Sequence, residues 1–436
     1  MKPQLARSQQ DWTFLDISTR DFTHGFHLYP ARMHPEIAKR LIAKYASDTR
    51  KVVFDPFMGS GGVLVESMLH GNNSIGIDLN PFAVLLSKVK TTPIDPKKLQ
   101  QTHKKIISKS KLDYSSKVRY STAPQSKSLN LSFWYKRNVI HKLEILKHHV
   151  FRISNNDTRD FFKVCFSLTS RKASNQRNSI YKIYRISNEN MLKFNPDVFT
   201  IFDDTCTKNI KKMSDFISAV KPKVKAFPIL GDTRNVGAEF SKIPKKILDE
   251  GKVHLVVTSP PYGDHSTTVA YGQFSKHPGL WLELPEEPLL EVDSLGLGGR
   301  KKKTMDDLGS KLLDSILEQV KKKDKAVAKK TVMPNRALDV FAFYADLDNC
   351  LQQISTVLKP NSSHCCFVVA NRTVRRVTIP TDKIIMQLAK KYGFRHKETL
   401  YRTIANKAMS AKNAPENISD FTGNTMTKES IVVWEF

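Results

Sequence analysis

Cysteine is scarce in this chain of 436 residues, and the five present show no paired spacing. A disulfide framework is therefore excluded, and a reducing compartment is the expectation. No Cys/His spacing suits a zinc site, so no metal is expected. No apolar run approaches the ~18 residues that a membrane span needs. Met1 to Arg20 is polar and mixed in charge, unlike a secretory signal. No internal repeat is evident. Acid is in short supply too: Lys+Arg of 70 against Asp+Glu of 42 gives 70 − 42 = +28. That surplus favours a polyanionic partner through counterion release at phosphates. An anionic membrane surface is the competing partner, but no long basic amphipathic helix stands out. What the chain does not lack is core: 40% of its residues are hydrophobic, and its length suits about two or three domains.

Two short motifs carry the chemistry. The apolar run Val253-His254-Leu255-Val256-Val257 reads as a buried strand, and Thr258-Ser259-Pro260-Pro261-Tyr262-Gly263 follows it. Each proline fixes its own φ and lacks an N–H, so the nearby carbonyls are held out as acceptors. Ser259 adds a hydroxyl acceptor and Tyr262 a flat face. Such a shelf suits a planar ring with an exocyclic amino group, which describes a nucleobase; a Pro-rich turn closing a strand is the structural alternative. The second motif lies upstream. Lys51-Val52-Val53-Phe54 reads as a strand, Asp55-Pro56-Phe57-Met58-Gly59-Ser60-Gly61-Gly62 as a Gly-rich turn, and Val63 to Leu69 as a helix. This is the first βα unit of a nucleotide-type α/β domain, with Gly59 and Gly61 allowing positive φ and close approach of a ligand. The next strand, Ser74-Ile75-Gly76-Ile77, ends in Asp78, roughly 20 residues past the turn, where a carboxylate can take ribose hydroxyls.

These residues resemble the S-adenosylmethionine-dependent DNA amino-methyltransferases, in particular the cytosine-N4 type of restriction–modification systems. Asp55-Pro56-Phe57-x-Gly59-Ser60-Gly61 is similar to that family's cofactor loop, and Thr258-Ser259-Pro260-Pro261-Tyr262 to its catalytic motif. The serine form is typical of cytosine-N4 enzymes; adenine-N6 enzymes more often carry Asp or Asn there. Phe26-His27-Leu28-Tyr29-Pro30-Ala31-Arg32 resembles the segment that closes over the methionine end of the cofactor. Val269 to Ser275, Asn371 to Val374 and Asn413 to Asn417 also resemble family sequence. Gly62-Val63 departs from the Thr-Thr of many members, at the cost of a hydroxyl contact. No cysteine follows a proline as the nucleophile of cytosine-C5 methyltransferases does.

The resemblance implies methyl transfer to the N4 amino group of a cytosine flipped out of double-stranded DNA. It also implies a modification enzyme of the prokaryotic cytoplasm, with a cognate restriction endonuclease acting separately; no nuclease constellation is fused to this chain. Adenine-N6 methylation, RNA amino-methylation and a catalytically silent nucleic-acid-binding protein are the alternatives.

Strands are expected at 51–54, 74–78, 226–230, 253–257, 363–370, about 394–404 and 429–436. Helices are expected at 34–45, 62–70, 81–90, 338–357 and 381–392. Alternation of the two implies an α/β fold with a mostly parallel, doubly wound sheet, ending in an antiparallel pair. By resemblance it is the seven-stranded, Rossmann-like sheet of class I methyltransferases. Asp55, Asp78, Asp232 and Ser259 all fall at the carboxyl ends of strands, where open α/β sheets bind ligands. Asp232 suits an acceptor for the cofactor's adenine amino group, or a cap for the next turn. Phe57 packs on the cofactor or fills core. Tyr29 and Pro30 close the methionine pocket, or are an ordinary extended dipeptide.

The catalytic domain comprises residues 1–90 and 227–436. Residues 91–226 form a helical insertion, with helices over Trp134 to Phe151 and Asp160 to Ser170, that either grips the duplex or caps the sheet. Residues 264–335 form a basic region in which Arg300, Lys301, Lys302 and Lys303 on a Gly-hinged loop suit phosphate contact. Arg372 contacts DNA or anchors its loop.

Overall fold

The computed structural model describes residues 11–48, 51–178, 181–263, 269–328, 335–404, 412–413, 423–424 and 427–436. The strands, in chain order, are β1 (Val52–Asp55), β2 (Asn73–Asp78), β3 (Ala226–Leu230), β4 (Leu255–Thr258), β5 (His364–Val369), β6 (Arg372–Val374), β7 (Val377–Ile379), β8 (Arg395–Thr403), β9 (Lys412–Asn413), β10 (Gly423–Asn424) and β11 (Lys428–Glu435). Seven of them form one sheet in the order β3-β2-β1-β4-β5-β11-β8. The first five are mutually parallel, and β11 runs antiparallel to both β5 and β8. The expected terminal antiparallel pair is therefore present, with β11 inserted between β5 and the edge strand β8. Pro228 sits in β3, the other edge strand, where a missing N–H costs no ladder bond.

The chain leaves β1 in one direction through β2 to β3, then returns to the far side of β1 with β4 and β5. The strand order thus reverses between β1 and β4, and an open α/β sheet has its ligand crevice at such a point.

The helices are α1 (Pro35–Tyr45), α2 (Gly62–Leu69), α3 (Pro81–Lys90), α4 (Pro96–Ser115), α5 (Leu131–Trp134), α6 (Arg137–Phe151), α7 (Asn156–Ala173), α8 (Asn188–Lys193), α9 (Val198–Ala219), α10 (Val236–Phe240), α11 (Tyr271–Trp281), α12 (Glu286–Leu295), α13 (Lys311–Ala328), α14 (Arg336–Ser355) and α15 (Thr381–Lys390). Alternate side chains of the sheet enter two cores, as the strand period of two requires. Val52, Phe54, Val256, Phe367 and Trp434 pack with α13, α14 and α15. Val53, Leu255, Val257, Val368 and Val433 pack with α1 and α2 on the other face. Each such fully buried side chain contributes about 1.5–3 kcal/mol over its exposed state.

Residues 91–226 are helical, as expected, but their packing is shared. Buried residues of α4, α6, α7 and α9 form one cluster with Phe82 and Leu86 of α3, Trp281 of α11 and Leu289 of α12. The single helix read over Trp134 to Phe151 is broken at Tyr135–Lys136, where Tyr135 is extended and buried. The helix read over Asp160 to Ser170 extends to Asn156–Ala173, capped by Asn155, whose side chain accepts from Thr158 N. The described part of residues 264–335 holds three helices, α11, α12 and α13. All five cysteines are free and buried. Residues 264–268 and Lys329-Lys330 of the second basic region, and most of the Asn413 to Asn417 stretch, lie outside the described residues.

Candidate active site

The two motifs meet at the point where the sheet reverses. Thr258 Oγ1, at the end of β4, donates a 2.6 Å hydrogen bond to Asp55 Oδ1 at the end of β1. Around this junction lies a cavity of about 470 Å³. Its wall includes Tyr29, Pro30, Asp55, Phe57, Gly59, Asp78, Asp232, Ser259 and Pro261. Nine of the residues singled out from the sequence thus share one chamber. Gly61, Pro260 and Tyr262 stand just behind the wall, and Arg300 to Lys303 lie outside it.

On one side of the chamber the acids hold few partners. Asp55 accepts from Phe57 N at 3.1 Å and from Thr258, and burial pushes its carboxyl up to about 7 against these bonds. Asp78 accepts from Gly59 N at 2.9 Å and Asn80 N at 2.8 Å, and burial raises it to about 6. Among the described residues no cation pairs with either acid, and both line the cavity. The turn between them needs glycine. Gly61 has φ of 77°, and a Cβ there would come within 2.8 Å of Ser87 Oγ. Asn80 caps α3 through Phe82 N, and its amide donates to Tyr29 Oη at 3.1 Å and Ser275 Oγ at 2.7 Å. Tyr29 lies 6.0 Å from the Tyr271 ring at an interplanar angle of 29°.

Asp232 does two things at once. Its Oδ1 caps the following turn by accepting from Arg234 N, and both oxygens accept from the Arg234 guanidinium. Each carboxylate oxygen thus takes two donors from Arg234, and the Asp232 carboxylate lines the cavity already bonded within the protein. Phe57 is half-buried, lines the chamber and packs on the core of the α14 face. Two basic side chains belong to the same wall: half-buried Arg32, which donates to the His24 carbonyl at 2.7 Å, and buried Lys90, which donates to Ser60 O at 2.9 Å. Burial lowers the pKa of both.

The opposite side is internally bonded. Ser259 Oγ lies 3.2 Å from Tyr262 Oη, Tyr262 Oη donates to Glu429 Oε1 at 2.8 Å, and Arg402 Nη1 donates to Glu429 Oε2 at 2.8 Å. Glu429 and Arg402 also line the cavity. Sequence reasoning missed both. They are cross-strand partners on β11 and β8, and only the pairing register brings them to the Pro-Pro-Tyr turn. Thr258 carried no role of its own within its motif, yet its hydroxyl ties the two motifs together.

The exposed Arg300 to Lys303 run begins a few residues past Gly296 and Leu297, which line the cavity. Arg372 is different: it is 5% exposed, its guanidinium lies 5.1 Å from the Phe343 ring centroid, and a Cβ on Gly263 would collide with it. That placement suits the loop-anchoring reading of Arg372. Among the described residues, no group of three or more His, Cys, Asp or Glu could hold a metal. No described helix is long and apolar enough to cross a membrane.

Known proteins resemble this chain in sequence. A family model described as DNA methylase matches residues 2–89. The type II methyltransferase M.MvaI of Kocuria varians is 36% identical over 450 aligned positions, covering 99% of this chain and 95% of that protein. The type II methyltransferase M.MjaII of Methanocaldococcus jannaschii is 36% identical over 88 residues, 20% of this chain and 16% of that protein. The rRNA methyltransferase aviRa of Streptomyces viridochromogenes aligns over 98% of this chain and 94% of its own, at 9% identity and a TM-score of 0.31. Near-complete coverage by the first of these relatives establishes that the chain belongs to the type II DNA methyltransferases, enzymes that draw their methyl group from S-adenosylmethionine.

Proposed function

We propose that the chain is a site-specific DNA methyltransferase that modifies the N4 amino group of cytosine in double-stranded DNA, as the modification component of a restriction–modification system whose endonuclease acts separately in the prokaryotic cytoplasm. The observation that carries this reading is the shared chamber of Asp55 and Ser259, joined through Thr258.

The residues fit the methyl donor. Asp78, raised by burial and without a cation, suits the ribose hydroxyls, and Asp55 suits the ammonium group. Arg32 and Lys90 line the chamber as basic donors for the carboxylate, which would in turn favour their charged forms against burial. Asp232 lines the chamber and suits the adenine amino group once the Arg234 fork yields a lone pair, Gly59 and Gly61 admit close backbone approach, and Tyr29, Pro30 and Phe57 close the chamber. When bound, S-adenosylmethionine supplies an electrophilic methyl on a sulfonium.

On the other side, Ser259 Oγ and the Pro260 carbonyl accept the two amino hydrogens of the target. An aromatic amino group is a poor nucleophile because its lone pair is delocalised into the ring, and two fixed acceptors favour a more tetrahedral nitrogen. Pro261 stiffens the turn, and the Tyr262 ring stacks on the base. Positioning then supplies much of the rate. A base within a duplex cannot reach this turn, so it must be flipped out. Arg300, Lys301, Lys302 and Lys303 are exposed beside the chamber and suit the flanking phosphates. The helical residues 91–226 suit the grip on the duplex, and Arg372 acts by holding the turn around Gly263.

The test is nucleoside analysis of DNA methylated by the protein. N4-methylcytosine is the expected product; N6-methyladenine would replace this reading with its adenine counterpart.

A further inference from the structure

The motif that supplies Ser259 and Tyr262 does not include Glu429, which lies 167 residues beyond Tyr262 yet bonds its hydroxyl. The direction of the protons in this chain of groups follows from their inventories. Arg402 only donates, and a carboxylate paired with it only accepts. The Tyr262 hydroxyl has one proton, and Glu429 takes it. The Tyr262 oxygen is left as an acceptor, so the Ser259 proton points to it. Ser259 Oγ then turns lone pairs, and no proton, toward the cavity.

That orientation matters for amino methylation. A serine free to rotate would also donate to the amino nitrogen, engaging the electron pair that must attack the methyl group. We propose that Glu429 is a positioning residue for methyl transfer: acting through Tyr262, it holds Ser259 as an acceptor. This rests on the reading of Ser259 as an acceptor for the target amino group. The rival role is structural, because Glu429 and Arg402 also staple β11 to β8 as a cross-strand pair.

Glu429→Gln separates the two roles. Arg402 would hold the Gln oxygen, leaving the amide NH2 to face Tyr262. Tyr262 must then accept, and its proton swings to Ser259, which reverses the relay while the shape is kept. With S-adenosylmethionine and unmethylated genomic DNA as substrates, kcat should fall about tenfold or more with KM for S-adenosylmethionine and the melting temperature unchanged. Tyr262→Phe keeps the ring and deletes the relay, and should lower kcat in the same way. In Tyr262→Phe, adding Glu429→Gln should cost nothing more, because Glu429 has lost the group it acts through.

Full kcat in Glu429→Gln, multiplying effects in the double variant, or a fall in melting temperature that accounts for the lost activity would each overturn the proposal. Should Glu429→Gln fail to fold, Tyr262→Phe decides alone: unchanged kcat overturns the relay. Ser259→Ala is the arm that tests the underlying reading. Full activity there removes the amino-acceptor assignment itself, whereas a dead Ser259→Ala beside a fully active Glu429→Gln removes only the role of Glu429.

Discussion

The two sides of the chamber are built on opposite principles. On the Asp55 and Asp78 side, a buried and a half-buried acid receive little beyond backbone N–H groups and one hydroxyl, and desolvation raises both. On the Ser259 side, each hydroxyl has a partner within the protein, and the chain of bonds ends on an ion pair. The first side is incomplete until a ligand supplies donors. The second is complete beforehand and presents a preset acceptor. A site that binds a polar cationic co-substrate and then activates a weakly nucleophilic amine needs both: unsatisfied acceptors give affinity, and satisfied ones give orientation.

The comparison breaks most sharply at Ser259. Ser259→Ala should lower kcat for methyl transfer by at least about 100-fold, as loss of one preorganised hydrogen-bonding group does elsewhere. The melting-temperature rise on adding S-adenosylmethionine should remain, because the proposed function assigns that ligand to the other side. Loss of the rise together with activity would show that the two sides are one unit. Asp78→Ala makes the converse cut. It should weaken S-adenosylmethionine binding by about 10- to 100-fold, through loss of charge-assisted hydrogen bonds, and abolish the thermal shift at modest ligand concentration. Calorimetric titration measures it directly. Asp78→Ala with wild-type affinity would refute the assignment of that side.

A smaller effect is expected outside the chamber. Replacing Lys301, Lys302 and Lys303 by Ala should reduce the slope of log affinity for DNA against log salt by up to about 2–3, since each phosphate contact contributes about 0.9. The melting temperature should not change, because the three side chains are exposed. An unchanged slope would mean that the run is only a solvated face.

Much of the sheet was legible because its strands are short, apolar and bounded by acids or turn residues: the Lys51-Val52-Val53-Phe54 run lands within a residue of β1, and Ser74 to Asp78 within one of β2. Asp55, Asp78, Asp232 and Ser259 were legible as strand-end residues for the same reason. The position of β11 inside the sheet was not, since pairing order is a property of the fold and not of either strand. Glu429 was lost with it: its neighbours Lys428 and Ser430 are ordinary polar strand-end residues, and its role depends on the register that sets it opposite Arg402. The break at Tyr135–Lys136 was hidden too. Tyr135 matches a helical apolar period, yet it is extended and buried, its ring centroid 5.7 Å from that of Trp281.

The gentlest test uses pH. Asp55 and Asp78 have native pKa values raised from 3.8 to about 7 and about 6, so between these limits the folded protein binds more protons than the unfolded chain. Stability contributed by the protonated acids is full below about pH 4 and is lost as the pH rises through about 6 and then about 7. Other groups titrate over the same range, so the signature is a difference: Asp55→Asn, whose amide does not ionise, should lose less melting temperature than the wild-type protein between pH 5 and pH 8, by about a few degrees. Saturating S-adenosylmethionine should shrink that difference, because its ammonium group and hydroxyls favour the ionised acids, and its affinity should rise over the same window. Ser259→Ala removes no ionisable group, so it should keep the wild-type pH profile of stability. Parallel profiles for wild type and Asp55→Asn would show that Asp55 is already ionised and satisfied without ligand, and the contrast between the two sides would collapse.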